Sequence, residues 1–212
     1  MRFVSISGDV VKPGVYEVPF GQSVRELVME CAGGMRPGRT LKAIATSGPS
    51  SGFLPDKIEP KKISPRYADE LVKRGVMKSA DDVLDILDMP LDLETFKLGR
   101  GLMLGAAFVA YDDRADMLDQ ALNSVEFYRN ESCGKCVPCR VGSEKMAYML
   151  RQTFDRGVAL DDDLVKELGL VMIDASICGL GQVVPNSILT VLKYFPDDIR
   201  RHIIVPGATD AG

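Results

Sequence analysis

Three cysteines crowd into one short string, Glu131-Ser132-Cys133-Gly134-Lys135-Cys136-Val137-Pro138-Cys139-Arg140-Val141-Gly142. Two-residue spacers let successive thiolates converge on one small centre from a tight loop. Gly134 permits positive φ and close backbone approach. Pro138 restricts the loop and removes one donor. A fourth cysteine, Cys178, lies far downstream in Ile177-Cys178-Gly179-Leu180-Gly181. Three thiolates from one loop plus a remote fourth are a common way to hold a 4Fe–4S cluster. Zinc sites more often pair two separated C-x2-C units, and redox-active or structural thiols are a further reading. The candidate ligands are Cys133, Cys136, Cys139 and Cys178. Gly179 and Gly181 are expected to let backbone amides turn toward cluster sulfurs. Ile177 and Leu180 are expected to limit solvent there. Lys135 and Arg140 either offset cluster charge or stand as solvated loop cations.

The remaining chemistry-bearing residues read as structural. Cys31 ends an apolar helical run, residues 24–31, and is expected to be a buried thiol. His202 is the only histidine; it sits in a charged stretch remote from any nucleophile candidate, so a catalytic dyad is not expected. Gly99, Gly101 and Gly105 match no dinucleotide fingerprint, because the strand follows them. They are expected to be loop and hairpin glycines.

Composition narrows the field. The chain has 212 residues, 46% of them hydrophobic and 26% charged, with a net charge of −4. At roughly 150 residues per domain this is one large domain or two small ones, with core enough to need no staples. There is no Trp and aromatic content is 7%, which argues against a stacking platform for single-stranded nucleic acid. The acidic balance argues against binding a DNA backbone. No apolar stretch is long enough to span a membrane. The N-terminus lacks a signal-peptide h-region, so a cytoplasmic, reducing compartment is expected. There metal binding is a better reading of clustered cysteines than disulfides.

Elements must position these groups. Residues 2–7 alternate as a strand, Lys12-Pro13-Gly14 turns, and residues 15–18 resume the strand. Gln22-Ser23 can cap a helix that Gly33-Gly34 ends. Residues 41–46 form another strand, and Gly48-Pro49-Ser50-Ser51-Gly52 a loop. One helix on a small mixed sheet fits this order. Residues 56–92, rich in charge and proline, read as a surface excursion with weak helical patterns at 68–75 and 80–88. From Ala115 onward the period becomes helical: Leu118, Leu122 and Val125 share one face. Met146, Met149, Leu150 and Phe154 form a second stripe, read as core. Asp161-Asp162-Asp163 opens a helix with Leu164, Leu168, Val171 and Met172. Pro185-Asn186-Ser187 opens another with Ile188, Val191, Leu192 and Phe195, and a short turn through His202 follows. The expectation is α+β: a small β-grasp (ubiquitin-like) domain at 1–55, a connecting excursion and hairpin at 56–112, a four-helix bundle at 113–205 carrying the cluster ligands in two loops at one end, and a flexible tail at 206–212.

The string from Glu131 to Gly142, followed by Ile177-Cys178-Gly179-Leu180, resembles the 4Fe–4S signature of the NADH-binding flavoprotein subunit of respiratory complex I. The same module occurs in NAD-dependent formate dehydrogenase beta subunits and in diaphorase subunits of NAD(P)-linked hydrogenases. Gly8-Asp9-Val10-Val11-Lys12-Pro13-Gly14-Val15-Tyr16-Glu17-Val18 resembles that family's soluble-ligand-binding β-grasp (SLBB) domain, and Gly48-Pro49-Ser50-Ser51-Gly52 the loop after it. The resemblance implies an electron-transfer module with one 4Fe–4S cluster on Cys133, Cys136, Cys139 and Cys178. It places FMN and NAD(H) on a domain absent from this chain or on a partner. It also implies partner subunits of a multi-subunit oxidoreductase: a flavin-binding domain, a 2Fe–2S thioredoxin-like subunit and a larger iron–sulfur or catalytic subunit. A cytoplasmic location follows, with attachment to the cytoplasmic face of a membrane complex as one form of it. A structural zinc-binding assembly scaffold is the rival reading.

Overall fold

In the computed structural model, which describes residues 1–98 and 103–203, the alternation at the start of the chain becomes strand β1 (Arg2–Gly8). Val4 and Ile6 turn inward and are buried, while Phe3 beside them is exposed, as a two-residue period requires. β1 pairs antiparallel with β2 (Gly14–Val18) and parallel with β7 (Ala107–Asp112). β7 pairs antiparallel with β3 (Leu41–Ala45), which carries β4 (Leu54–Pro55) at the far edge. The order is β2-β1-β7-β3-β4. Between β2 and β3 the chain makes a π-helical turn, Glu26–Cys31, burying Leu27 and Val28. Ser23 and Glu26 start it as a capping box. The Ser23 amide donates to Glu26 Oε2 at 2.7 Å, and the Glu26 amide donates back to Ser23 Oγ at 3.2 Å. A mixed sheet with one helix laid between its second and third strands is the expected β-grasp arrangement. The chain is α+β, 50% helical and 17% strand.

The excursion differs from expectation. Its final strand, β7, is no hairpin but the centre of the sheet, with Phe108 and Ala110 buried. Local sequence could not show this, because the partner of Ala107 is Ser5, about a hundred positions earlier. The stretch before it is no surface loop either. It contains β5 (Lys57–Ile58) paired with β6 (Leu84–Asp85), α1 (Pro65–Lys73) and α2 (Leu93–Leu98). Ile58, Leu71, Leu84, Ile86, Met89, Leu91 and Phe96 are all buried, and each such side chain stabilises by about 1.5–3 kcal/mol. Residues 80–88, expected to be helical, give β6 and a 3-10 turn in which Asp85 accepts from the Leu87 amide. The segment is sewn to the helical turn by Val24 N–H to Met89 O at 2.9 Å and Leu91 N–H to Gln22 O at 2.7 Å. Arg25 adds ion pairs to Asp85 and Asp88. Cys31 is half-buried rather than buried, with the Gln22 amide nitrogen 3.9 Å from its sulfur.

These elements make up one compact unit, Met1–Ala115; the second is Asp116–Gly212. The second is helical: α3 (Met117–Glu131), α4 (Val137–Arg156), α5 (Asp162–Ala175), α6 (Gly179–Val183), α7 (Asn186–Tyr194) and α8 (Pro196–Arg200). α3 packs on α4 and α7, and α5 packs on the same two, closing a ring of four. Asp116 and Asp161 cap α3 and α5 with their side chains, satisfying amides that the helices leave free. Leu118, Leu122, Val125, Met146, Met149, Leu150, Ile188, Val191 and Phe195 are buried as expected. In α5 the inward face is rotated from expectation: Val165, Gly169 and Met172 are buried, whereas Leu164, Leu170 and Val171 are exposed. Two glycines select that face. A Cβ on Gly142 of α4 would lie 2.6 Å from Met172 Sδ, and one on Gly169 would lie 3.2 Å from the Pro185 Cβ. His202 is structural: its Nε2 lies 2.6 Å from Asp116 Oδ2, and its ring centroid is 4.7 Å from that of Phe154. Among the described residues no helix is long and apolar enough to cross a membrane. Gly99, Gly101 and the tail at 206–212 lie outside the described residues.

The packing makes two substitutions informative. Gly8 has φ +88°, and a Cβ there would overlap the Ala110 carbonyl oxygen across the β1–β7 pair. Gly8→Ala should cost about 2–4 kcal/mol in chemical denaturation. Gly21→Ala, at φ +85° with nothing within 4 Å, should cost only about 1–2 kcal/mol. In the helical unit, partial burial works to raise the Asp116 pKa, but the His202 bond and the Leu118 and Asp119 amides outweigh it and hold the carboxyl below its usual value. A depressed carboxylate pKa stabilises above the unfolded value and loses that contribution as pH falls through the folded value. Asp116→Asn keeps the cap and removes the charge. It should lower stability by about 1 kcal/mol at pH 7, with the difference shrinking below about pH 4.

Candidate iron–sulfur site

The cysteine string spans the end of one helix and the start of the next. α3 ends at Glu131, with Ser132 as its C-cap. Gly134 takes φ +74°, a left-handed turn that an L side chain rarely adopts. Cys136 is the N-cap of α4, and Pro138 occupies the first turn, where its missing N–H costs nothing. Cys139 therefore lies within the helix, 4% exposed, while Cys136 is half-buried and Cys133 exposed. The second segment has the same form. α5 ends at Ala175 with Ser176 as its C-cap, and Cys178, exposed, is the N-cap of the short α6.

The two segments meet. The Cys136 thiol is held below its usual pKa, chiefly by the nearby Ile177 backbone N–H, against the opposing effect of desolvation. The Cys136 and Cys139 amides add to the same shift, together with a Cys139 side-chain contact. Gly181, buried in the first turn of α6, closes the approach. A Cβ there would lie 2.5 Å from Ser176 Oγ and 2.8 Å from the Cys139 Cβ. Gly181 is required for space and not for a special φ, since neither it nor Gly179 has positive φ. Gly181 is closely packed, whereas Gly179 stands in open space.

Ile177 also departs from expectation: it is 70% exposed, and it contributes its amide and not a hydrophobic shield. Leu180 is half-buried. Arg140 is exposed and donates to the Gly134 carbonyl, which braces the turn; Lys135 is exposed. Two residues carry roles the spacing did not announce. Ser132 Oγ lies 3.2 Å from Cys139 Sγ and accepts from the Gly134 amide at 3.2 Å. Ser176, 6% exposed, has a hydroxyl with no partner among the described residues. The only advance signal was a serine just ahead of a cysteine in both segments, Ser132-Cys133 and Ser176-Ile177-Cys178.

Among the described residues no three Cys, His, Asp or Glu side chains stand together at metal-ligating distance. Cys139 is in contact range of the helix that Cys178 caps, Cys136 stands three residues before Cys139 as the N-cap of α4, and Cys133 sits on the same turn with its residue exposed to solvent. The donor set nevertheless fits a thiolate-held group. It offers four soft sulfur donors on two segments that touch, with backbone N–H groups directed at sulfur and a cradle that a Cβ would fill.

Comparison with known proteins agrees with this chemistry. The family model for the NADH-ubiquinone oxidoreductase-F iron–sulfur binding region matches residues 119–202, and that for the SLBB domain matches residues 3–54. The chain is 30% identical over 203 residues to the NADP-reducing hydrogenase subunit HndC of Solidesulfovibrio fructosivorans, covering 95% of this chain and 36% of that one. It is 33% identical over 201 residues to the F subunit of the NADH-quinone oxidoreductase of Streptomyces coelicolor, covering 94% and 38%. A crystal structure of an NAD+-reducing [NiFe]-hydrogenase in the H2-reduced state superposes with a TM-score of 0.70 at 26% identity, covering 96% of this chain and 29% of that one. The chain thus spans about two-fifths or less of the length of these relatives. It carries an SLBB domain and a 4Fe–4S binding region like those of the F subunit of NADH-quinone oxidoreductase and its hydrogenase counterparts.

Proposed function

We propose that the chain is an electron-transfer module of an NADH-type oxidoreductase, holding one 4Fe–4S cluster on Cys133, Cys136, Cys139 and Cys178. A cluster held there supplies one-electron oxidation and reduction. It lies on a path between a flavin, carried on another domain or partner, and further iron–sulfur centres. The observation that carries this reading is the junction of the two cysteine segments, where Gly181 packs against both Cys139 and Ser176. The chain's own residues then have definite tasks. Gly134 turns the loop so that Cys133 and Cys136 can face one centre. The first turn of α4 brings Cys139 into the protein, and its N-terminal dipole favours an anionic group. The Ile177 amide stabilises negative charge on sulfur and so favours the reduced state. On this reading residues 113–205 are the redox domain, and the β-grasp unit serves assembly with the other subunits. The partners are a flavin-binding domain, a 2Fe–2S thioredoxin-like subunit and a larger iron–sulfur or catalytic subunit. The free thiols suit a reducing compartment, the cytoplasm.

Anaerobic loading of the full chain with iron and sulfide should give about four of each per chain, with broad visible absorption and an EPR signal on dithionite reduction. Separate Cys133→Ser, Cys136→Ser, Cys139→Ser and Cys178→Ser variants should each bind less iron and hold it more loosely. One zinc per chain with no sulfide would instead establish a structural zinc scaffold. A second measurement tests the junction itself. Gly181→Ala should cut iron retention, because its Cβ collides with both Ser176 and Cys139, whereas Gly179→Ala, with nothing within 4 Å, should retain it.

A further inference from the structure

We propose that Ser132 and Ser176 are hydroxyl donors to the sulfur environment of Cys139, and that they set the reduction potential of the centre; this rests on the cluster reading above. Ser132 has its direction of donation fixed by its own surroundings. The Gly134 N–H occupies an acceptor position on Ser132 Oγ at 3.2 Å, and the same oxygen lies 3.2 Å from Cys139 Sγ. A thiol could be donor or acceptor in that second contact. A ligating thiolate has no proton, so the hydroxyl must be the donor. The serine then passes the polarity of the Gly134 amide on to the sulfur, and successive hydrogen bonds of this kind reinforce one another. Cys139 is 4% exposed, which keeps water from competing for the position.

Ser176 supplies the independent observation. It is 6% exposed, and its hydroxyl has no hydrogen-bond partner among the described residues. Buried hydroxyls rarely stay unpaired, because burial without a partner is unfavourable. This one lies beside Cys139: a Cβ on Gly181 would meet Ser176 Oγ at 2.5 Å and the Cys139 Cβ at 2.8 Å. A sulfur-rich group held by Cys139 is the kind of acceptor that would satisfy it. Both serines thus flank the one buried thiol of the four, one from each cysteine segment.

Reduction adds one electron and no proton to such a centre, and each hydroxyl keeps its own proton. Donors to sulfur stabilise the more negative state, so removing one lowers the potential. The test is potentiometric EPR titration of the loaded full chain, with iron and sulfide counted on every sample. Ser132→Ala should shift the reduced-to-oxidised ratio about tenfold toward oxidised at a fixed potential, a fall of about 59 mV for a one-electron couple. Ser132→Thr, which retains the hydroxyl, should restore it. Ser176→Ala should shift the potential in the same direction by a smaller amount, without loss of folding stability. Unchanged potentials in fully loaded Ser132→Ala and Ser176→Ala would overturn the proposal and leave the cluster reading standing. If Ser132→Ala fails to load, Ser176→Ala decides alone. Wild-type chain that takes up no iron and sulfide would overturn the cluster reading itself.

Discussion

The constraint on which the helical unit depends is the close approach at Gly181, where the first turn of α6 meets the first turn of α4. Nothing larger than a hydrogen fits between Ser176, Cys139 and that backbone. For the two cysteine segments to touch there, the end of α5 must come back against the start of α4. The Gly142–Met172 contact sets the spacing of those two helices, and Gly169 lets the start of α7 press on α5. The rotated face of α5 has the same origin. The small residue at 169 permits close packing, whereas the larger Leu164 and Val171 are left outside. Side-chain size, more than hydrophobicity, decides which face turns inward.

Electrostatics follow from the same junction. Cys136 and Cys178 each stand as the N-cap of a helix, where unpaired amides leave partial positive charge. The Ile177 amide, the chief cause of the lowered Cys136 pKa, adds to them from the other segment. These dipoles are fixed by helices whose far ends are packed in the bundle. Arg140, by contrast, spends its guanidinium on a backbone carbonyl. Fixed backbone dipoles are therefore what this site offers to an anionic group. One side of the site is closed by Cys139 and Ser176, and the other, with Cys133, Cys178 and Ile177, faces outward.

Much of this was legible in the cysteine spacing and the helical periods. The thiols declare soft-metal chemistry by number and spacing alone. The stripes through Leu118, Leu122 and Val125 and through Met146 and Leu150 declare a bundle because period and burial coincide. What escaped was whatever depends on contacts between distant residues. The place of Ala107–Asp112 in the sheet is set by Ser5 and not by its neighbours. Ile177 looked like a shield because its side chain is apolar, yet the backbone does its work. Ser132 and Ser176 carried no reading from sequence, since a hydroxyl gains meaning only from what lies across the junction. Gly181 resembled Gly179 in every local respect, and only packing separates them.

The β-grasp sheet has a further consequence for the order in which the protein acquires structure. Its central strand is supplied last, after the whole run of residues from β5 to α2, yet it must slot between β1 and β3. A chain made only as far as β4 lacks the strand that joins the pairs β1–β2 and β3–β4 in the finished sheet. Both inner strands then present unpaired backbone to solvent. Sheet closure waits for the loop of about a hundred residues between Ser5 and Ala107, which is slow by the ordinary dependence of rate on sequence separation. The β5–β6 pairing joins residues about 28 positions apart, far less than the separation that β7 must close. What looks like an insertion in a finished sheet therefore lies, in chain order, between the two halves of that sheet and the strand that joins them.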